Sequence, residues 1–278
     1  MLMKLSFVLN KAKAEKRCIP AINVYNLETV QAVLTAAKNL QTPIIVSFGE
    51  SYLKHASLKQ IAAIVRHSAF NHDGPVVLHL DHAKRMDTIK NAIDCGFTSV
   101  MYDGSHLPFR QNIEHTRKVV ELAGKNNISV EAELGYLNPE DGSSDESIAN
   151  GYTRVEEAEI FVKETKVDAL AVAIGNAHGI YKGTPCLDFQ RLYEISNAVD
   201  IPLVLHGSSG ISEDQLKKAI SLGIAKMNVN TEVALAGSEA IKRMLAQQGI
   251  VRLERLMENA QAEMVKVIEK YIKFAYFE

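Results

Sequence analysis

The sequence predicts an α/β fold: a single (β/α)8 TIM barrel with extra N- and C-terminal helices, forming one domain over residues 1–278. Three observations carry this. Short apolar runs rich in Val, Ile and Leu recur eight times, as expected of parallel strands buried on both faces. Helical stretches with one apolar face separate them. No glycine-rich dinucleotide turn follows the first run, which argues against the main rival, an open doubly wound sheet.

The expected strands are 19–24 (IPAINV), 43–48 (PIIVSF), 76–80 (VVLHL), 98–102 (TSVMY), 128–133 (ISVEAE), 168–174 (DALAVAI), 202–206 (PLVLH) and 225–229 (AKMNV). Between them, Leu27, Val30, Val33, Leu34 and Ala37 share one face of a helix over 27–38. Met86, Ile89, Ala92 and Ile93 do so over 86–93. A helix over 107–123 has Pro108 near its start and Gly124 just past its end. Over 212–222, Ser212 and Gln215 make a capping-box pattern and Gly223 ends the helix. Residues 1–16 read as an amphipathic helix closing one end of the barrel; charges follow a short apolar core at once, unlike an export signal. The tail 252–275 carries Leu253, Leu256, Met257, Ala260, Met264 and Ile268 at helical spacing and predicts an extra helix covering barrel or subunit surface. Residues 135–153 form a long polar connection, a length that is usually functional.

A net charge of −2 gives no reason to expect nucleic acid or a membrane surface as partner, and leaves any anionic ligand to local groups. Cys18, Cys95 and Cys186 form no CxxC pair and read as free thiols in a reducing compartment, with the cytoplasm as the expected location. No apolar run approaches the roughly 18 residues that a membrane span needs.

Barrels of this kind place their chemistry at the C-terminal ends of the strands. Strand 3 there ends in Asp81-His82, strand 5 near Glu131 and Glu133, strand 6 in GNAHG with His178, strand 7 at His206, and strand 8 in Asn228-Val229-Asn230-Thr231. Three of nine histidines on one rim, each beside Gly, Ala or Asp, suit a zinc ion with one open position. His55, His67, His72, His106 and His115 read as ordinary surface or core residues, and His79 lies within its strand. The turns Gly207-Ser208-Ser209-Gly210 and Asn228–Thr231 open backbone amides after strands 7 and 8, a common phosphate site in barrels, and Thr231 is placed to cap the next helix. Lys182, in GIYKG, reads either as an added positive charge or as a solvated loop lysine.

The stretches HLDHA, VEAELG, AVAIGNAHGIYKG, IPLVLHGSSGIS and LGIAKMNVNTE strongly resemble the class II, zinc-dependent ketose-phosphate aldolases, the family of fructose- and tagatose-bisphosphate aldolases. The resemblance spans nearly the whole chain. It implies that His82, His178 and His206 hold one catalytic Zn²⁺, and that Asp81 exchanges a proton with the oxygen of the aldehyde half. Gly179, Lys182, Gly207, Ser208, Ser209, Asn228, Val229, Asn230 and Thr231 would cradle dihydroxyacetone phosphate, with a monovalent cation allowed beside the phosphate. Glu133 would stand next to the metal, as an outer partner or an alternate ligand. Glu140 would be the mobile acid that moves the carbon-bound proton, with Asp141 as the alternative. No Schiff-base lysine is required.

Two departures bear on the substrate. The family's Gly-Gly-x-Glu-Asp run is here Asn138-Pro139-Glu140-Asp141-Gly142, one residue shorter. The Asp-Pro-Arg stretch that many bisphosphate members use for the distal phosphate is absent, leaving Arg252 or Arg255 either to substitute or only to face solvent. The expected function is reversible cleavage of a fructose or tagatose 1,6-bisphosphate to dihydroxyacetone phosphate and glyceraldehyde 3-phosphate. A monophosphorylated ketose or sugar acid is the alternative within the class, and a non-catalytic phosphate-binding barrel subunit the alternative outside it. The apolar tail predicts a homodimer or homotetramer.

Overall fold

A computed structural model describes residues 2–70, 72–135, 151–181 and 183–277. Eight parallel strands close into one barrel in sequence order: β1 Ile19–Asn23, β2 Ile44–Gly49, β3 Val76–Ala83, β4 Ser99–Tyr102, β5 Ser129–Leu134, β6 Ala169–Val172, β7 Leu203–Leu205 and β8 Ile224–Val229. The helices are α1 Leu5–Ala14, α2 Leu27–Leu40, α3 Leu58–Ala69, α4 Met86–Asp94, α5 Phe109–Lys125, α6 Val155–Thr165, α7 Phe189–Ala198, α8 Glu213–Ser221, α9 Thr231–Gln248 and α10 Leu253–Ile272. No described helix is long and apolar enough to cross a membrane.

The apolar residues form two separate clusters, as alternation along each strand requires. Outward residues such as Val46, Leu78, Leu80 and Val130 pack against the helices. Inward residues Ile19, Ala21, Ile45, Val77, Ala171 and Val204 fill the N-terminal end of the barrel, where Leu5, Val8, Leu9 and Ala12 of α1 plug it. Higher up, the inward positions turn polar: Ser47, His79, Asp81, Glu131, Glu133, His206, Lys226 and Asn228 are all buried. This layer is the floor of the site.

Two register slips aim that layer. Between β3 and β4, Leu80 faces Val100 but Ala83 faces Tyr102, so β3 carries one extra residue. Between β7 and β8, Leu203 faces Ile224 but Val204 faces Lys226, so β8 carries one as well. Such bulges redirect side chains. The first accompanies His82 at φ 48°, left-handed backbone that a side chain rarely adopts. The strand therefore does not end before Asp81, as the sequence suggested; it runs through His82 to Ala83.

Several local expectations shift for identifiable reasons. Helix α5 passes through Gly124, and Asn127 (φ 58°) makes the left-handed turn instead. The Ser212–Gln215 capping box does not form, because Gln215 donates to Pro185 O (2.8 Å) and accepts from Leu187 N (3.0 Å). Thr231 is the first residue of α9 and Asn230 its cap position. Helix α10 packs along α9 and α2 through Leu256, Ala260, Met264, Ile268 and Ile272. Of the tail residues expected on that face, Leu253 is exposed and Met257 only half-buried.

Candidate active site

The C-terminal mouth of the barrel holds a cavity of about 180 Å³. Asp81, His82, His178, Gly179, Gly207, Ser209, Asn228, Asn230 and Thr231 line it, together with Asn23, Gly49, Ser51 and Tyr52, which sequence reasoning did not single out. Ser208 and Val229 do not. Ser208 donates its N–H to Asn228 O (3.1 Å) and its hydroxyl to Leu205 O (3.2 Å), while the Val229 side chain packs into the outer apolar layer. Glu140, Asp141 and Lys182 lie outside the described residues.

One ligand atom from each of His82, His178 and His206 lies within 4.8 Å of the others. Their orientation is set from behind. His82 directs Nδ1 at Asp103 Oδ2 (3.2 Å) and His206 directs Nε2 at Glu131 Oε1 (2.9 Å). Each carboxylate takes the proton-bearing nitrogen, so the opposite nitrogens are the ones left to ligate, although His206 is fully buried and does not itself line the cavity. Those two, His82 Nε2 and His206 Nδ1, face each other at 2.8 Å. Imidazole nitrogens converging with carboxylates behind them fit a divalent cation of the zinc type. A second donor cluster, His82 with Asp103 and Glu133, adjoins the first, and Glu133 Oε2 is buried without a hydrogen-bond partner. Glu133 Oε2 thus stands 3.7 Å from both His82 Nδ1 and His206 Nδ1.

Asp81 is held with equal definition. Asn23 donates to Oδ2 at 3.0 Å and Asn228 to Oδ1 at 3.1 Å. Burial opposes charge on this carboxyl, but His82, His206 and Lys226 outweigh it and hold it well below the usual carboxylate range. Burial likewise opposes charge on His82, yet Asp81 and the hydrogen bond to Asp103 lift it to about 9. His178 has no such support: burial, then His82 and His206, push it down to about 3. Burial raises Glu133 to about 8; His82 works against this and Asp103 and Glu131 reinforce it.

The loops carrying His178 and His206 are braced together. Tyr181 accepts from Ala177 N (2.8 Å) and donates to Gly207 O (2.9 Å). At Gly207 (φ 61°) a Cβ would lie 2.0 Å from Ala177 O, so glycine is required where the two loops touch.

The class II fructose-bisphosphate aldolase family model matches residues 3–277. The chain belongs to that family. It is a carbon–carbon lyase with an aldolase's barrel. The YdjI aldolase from Escherichia coli K12 is 35% identical, with 99% of this chain and 98% of that one covered and a TM-score of 0.89. A Coccidioides immitis chain assigned as a fructose-1,6-bisphosphate aldolase is 33% identical (98% and 96% covered, TM-score 0.87). The fructose-bisphosphate aldolase of Campylobacter jejuni, 24% identical, shares the fold (99% and 95% covered, TM-score 0.85). Family members are zinc-dependent and act on phosphorylated sugars, in keeping with the donor set at the mouth of this aldolase.

Asn23, Asp103, Glu131 and Lys226 contribute to the site although their sequence context did not announce their roles. Asn23 and Asp103 follow the same strand-end rule that exposed the histidines, at the end of β1 and just past β4. Lys226 had a plainer signal, a lysine inside an apolar strand. Arg252 and Arg255 do not line the cavity, and Arg252 is exposed and paired with Glu254.

Proposed function

We propose that this aldolase, one catalytic domain over residues 1–278, uses zinc to cleave a ketose 1-phosphate reversibly into dihydroxyacetone phosphate and an aldehyde. A fructose or tagatose 1,6-bisphosphate, giving glyceraldehyde 3-phosphate, is the first candidate substrate. The observation that carries the reading is Asp81, an ionised carboxyl clamped by two amides immediately beside three convergent imidazoles.

Zinc held by His82, His178 and His206 would supply Lewis-acid stabilisation of negative charge on the substrate's ketone oxygen. Asp81 takes the proton from the hydroxyl of the aldehyde half in cleavage and returns it in synthesis. Asn23 and Asn228 occupy one lone pair on each of its oxygens, which fixes the carboxylate plane. Gly179, Gly207, Ser209, Asn230 and Thr231 are our candidates for receiving the phosphate of the dihydroxyacetone half; they line the cavity beside the N-terminus of α9, which supports the reading. Glu140, with Asp141 as the alternative, is our candidate for the acid that moves the carbon-bound proton, and Lys182 and a monovalent cation for further charge at the phosphate. We place the aldolase in the cytoplasm as a homodimer or homotetramer, without nucleic-acid or membrane partners; exposed Leu235, Leu245, Ile250 and Leu253 support a subunit contact.

A second reading has its own support. No Lys or Arg is among the described residues lining the cavity, whose remaining polar lining is Asn23, Ser51 and Tyr52. Such a lining suits hydroxyls better than a second phosphate, and favours a monophosphorylated ketose or sugar acid. The test is a product assay with fructose and tagatose 1,6-bisphosphates, their 1-phosphates and a phosphorylated sugar acid. Zinc-dependent release of dihydroxyacetone phosphate from at least one is expected, and the cleaved compound decides between the readings. Binding of dihydroxyacetone phosphate with no cleavage and no proton exchange at its hydroxymethyl carbon would establish a non-catalytic barrel instead.

A further inference from the structure

Beneath the mouth lies a buried cation that so far enters only as a charge near Asp81. Lys226 on β8 is fully buried. Its Nζ donates to Glu131 Oε1 at 3.0 Å and to Asn228 Oδ1 at 2.8 Å, and forms an ion pair with Glu131 Oε2 at 2.9 Å. An ammonium has three protons and can only donate. Every hydrogen bond leading away from it therefore has a fixed direction.

One branch runs through Asn228. Because Oδ1 must face Lys226, the amide N–H₂ must face the other way, toward Asp81 Oδ1 at 3.1 Å. A flipped amide would set N–H₂ against the ammonium and its oxygen against a carboxylate. The other branch runs through Glu131. Its Oε1 takes the Lys226 ammonium at 3.0 Å and also lies 2.9 Å from His206 Nε2, so Nε2 is the ring nitrogen that donates to it and Nδ1 is the one left facing His82. The register slip between β7 and β8 brings Lys226 and Asn228 to the barrel interior together.

We infer that Lys226 is a positioning residue that sets the hydrogen-bond direction of both halves of the site, the Asp81 carboxylate through Asn228 and the His206 tautomer through Glu131. The inference rests on the roles proposed above for Asp81 and His206, and the test separates the two.

Zinc affinity is measured by competition with a chromophoric chelator for the wild type, Lys226→Met, Lys226→Met/Glu131→Gln and, as control, His206→Ala. Lys226→Met is expected to bind zinc at least about tenfold more weakly, in the range found when outer partners of metal ligands are removed. In the double variant no buried charge is left unpaired, and the carbonyl of the introduced amide can still accept from His206. Its zinc affinity is expected to return to within about threefold of wild type. Its kcat for condensing dihydroxyacetone phosphate with glyceraldehyde 3-phosphate should stay at least about tenfold low at unchanged KM, since Asn228 has lost its orienting partner. A purely structural lysine would lower the melting temperature and leave zinc affinity and the kcat-to-KM split alone. Wild-type zinc affinity in folded Lys226→Met overturns the inference, as does wild-type kcat in the double variant, which also serves if the single variant does not fold. Wild-type zinc affinity in His206→Ala instead defeats the reading of the site on which the inference depends.

Discussion

Asp81 and His82 are neighbours on one strand, where alternation would send them to opposite faces. The extra residue in β3 and the left-handed backbone at His82 resolve the conflict, so both side chains reach the cavity. Such a backbone carries strain of order 1–3 kcal/mol and persists where surrounding contacts enforce it; here Asp103 holds the ring at Nδ1. The division of roles predicts different outcomes for single substitutions. Asp81→Ala should retain zinc by metal analysis and lose about 10²–10⁴ in kcat, the range for a general acid–base. His206→Ala should lose the zinc as well. Borohydride with substrate should trap no adduct on Lys226, whose nitrogen is committed to Glu131 and Asn228, and mass spectrometry of the treated protein checks this. At this scale the sequence displayed the histidines and Asp81, because each lies at or beside the end of a strand. It did not display which carboxylate stands behind which ring. Asp103 is 21 residues from His82, and Glu131 is 75 from His206. Such pairs exist only once the barrel has closed.

Helix α1 shows how an element outside the barrel sustains the site. Its buried Leu5 and Leu9 close the apolar end on whose upper layer the polar floor rests. Leu9→Ala should cost about 2–5 kcal/mol in denaturant unfolding, the range for emptying a core leucine. The loops at the other end depend on Tyr181. Burial pushes its hydroxyl up to about 12, with the Ala177 N–H working the other way. Between pH 10 and 12 the folded chain therefore holds a proton that the unfolded chain releases, and stability should fall as pH rises through this window. Tyr181→Phe should be less stable by about 1–3 kcal/mol at neutral pH, having lost both hydrogen bonds. Its alkaline unfolding curve should be flatter than the wild type's over that window. The sequence located every strand within two or three residues, since buried parallel strands read as continuous apolar runs. It misplaced the ends where local chemistry is reassigned by tertiary contacts. Gln215 leaves its expected capping role for the Pro185–Leu187 segment, and Asn127 supplies the turn that Gly124 was expected to make.

For the molecule as a whole, closure of eight strands in sequence order collects His82, His178 and His206 from three parts of the chain around one point. The match to the class II aldolases over residues 3–277 and the shared barrel agree with that convergence. The fold class was legible because the β/α alternation repeats along the whole chain. Substrate identity was not, because it depends on the rest of the cavity lining, where Ser51 and Tyr52 follow a strand without a distinctive motif. The most direct test of the central claim is a zinc titration of thoroughly chelated protein, following release of dihydroxyacetone phosphate from the substrate that the panel identifies. Activity should be abolished by chelation and return in proportion to added zinc, reaching its limit at one ion per chain. Undiminished cleavage by protein shown to be free of metal would contradict it.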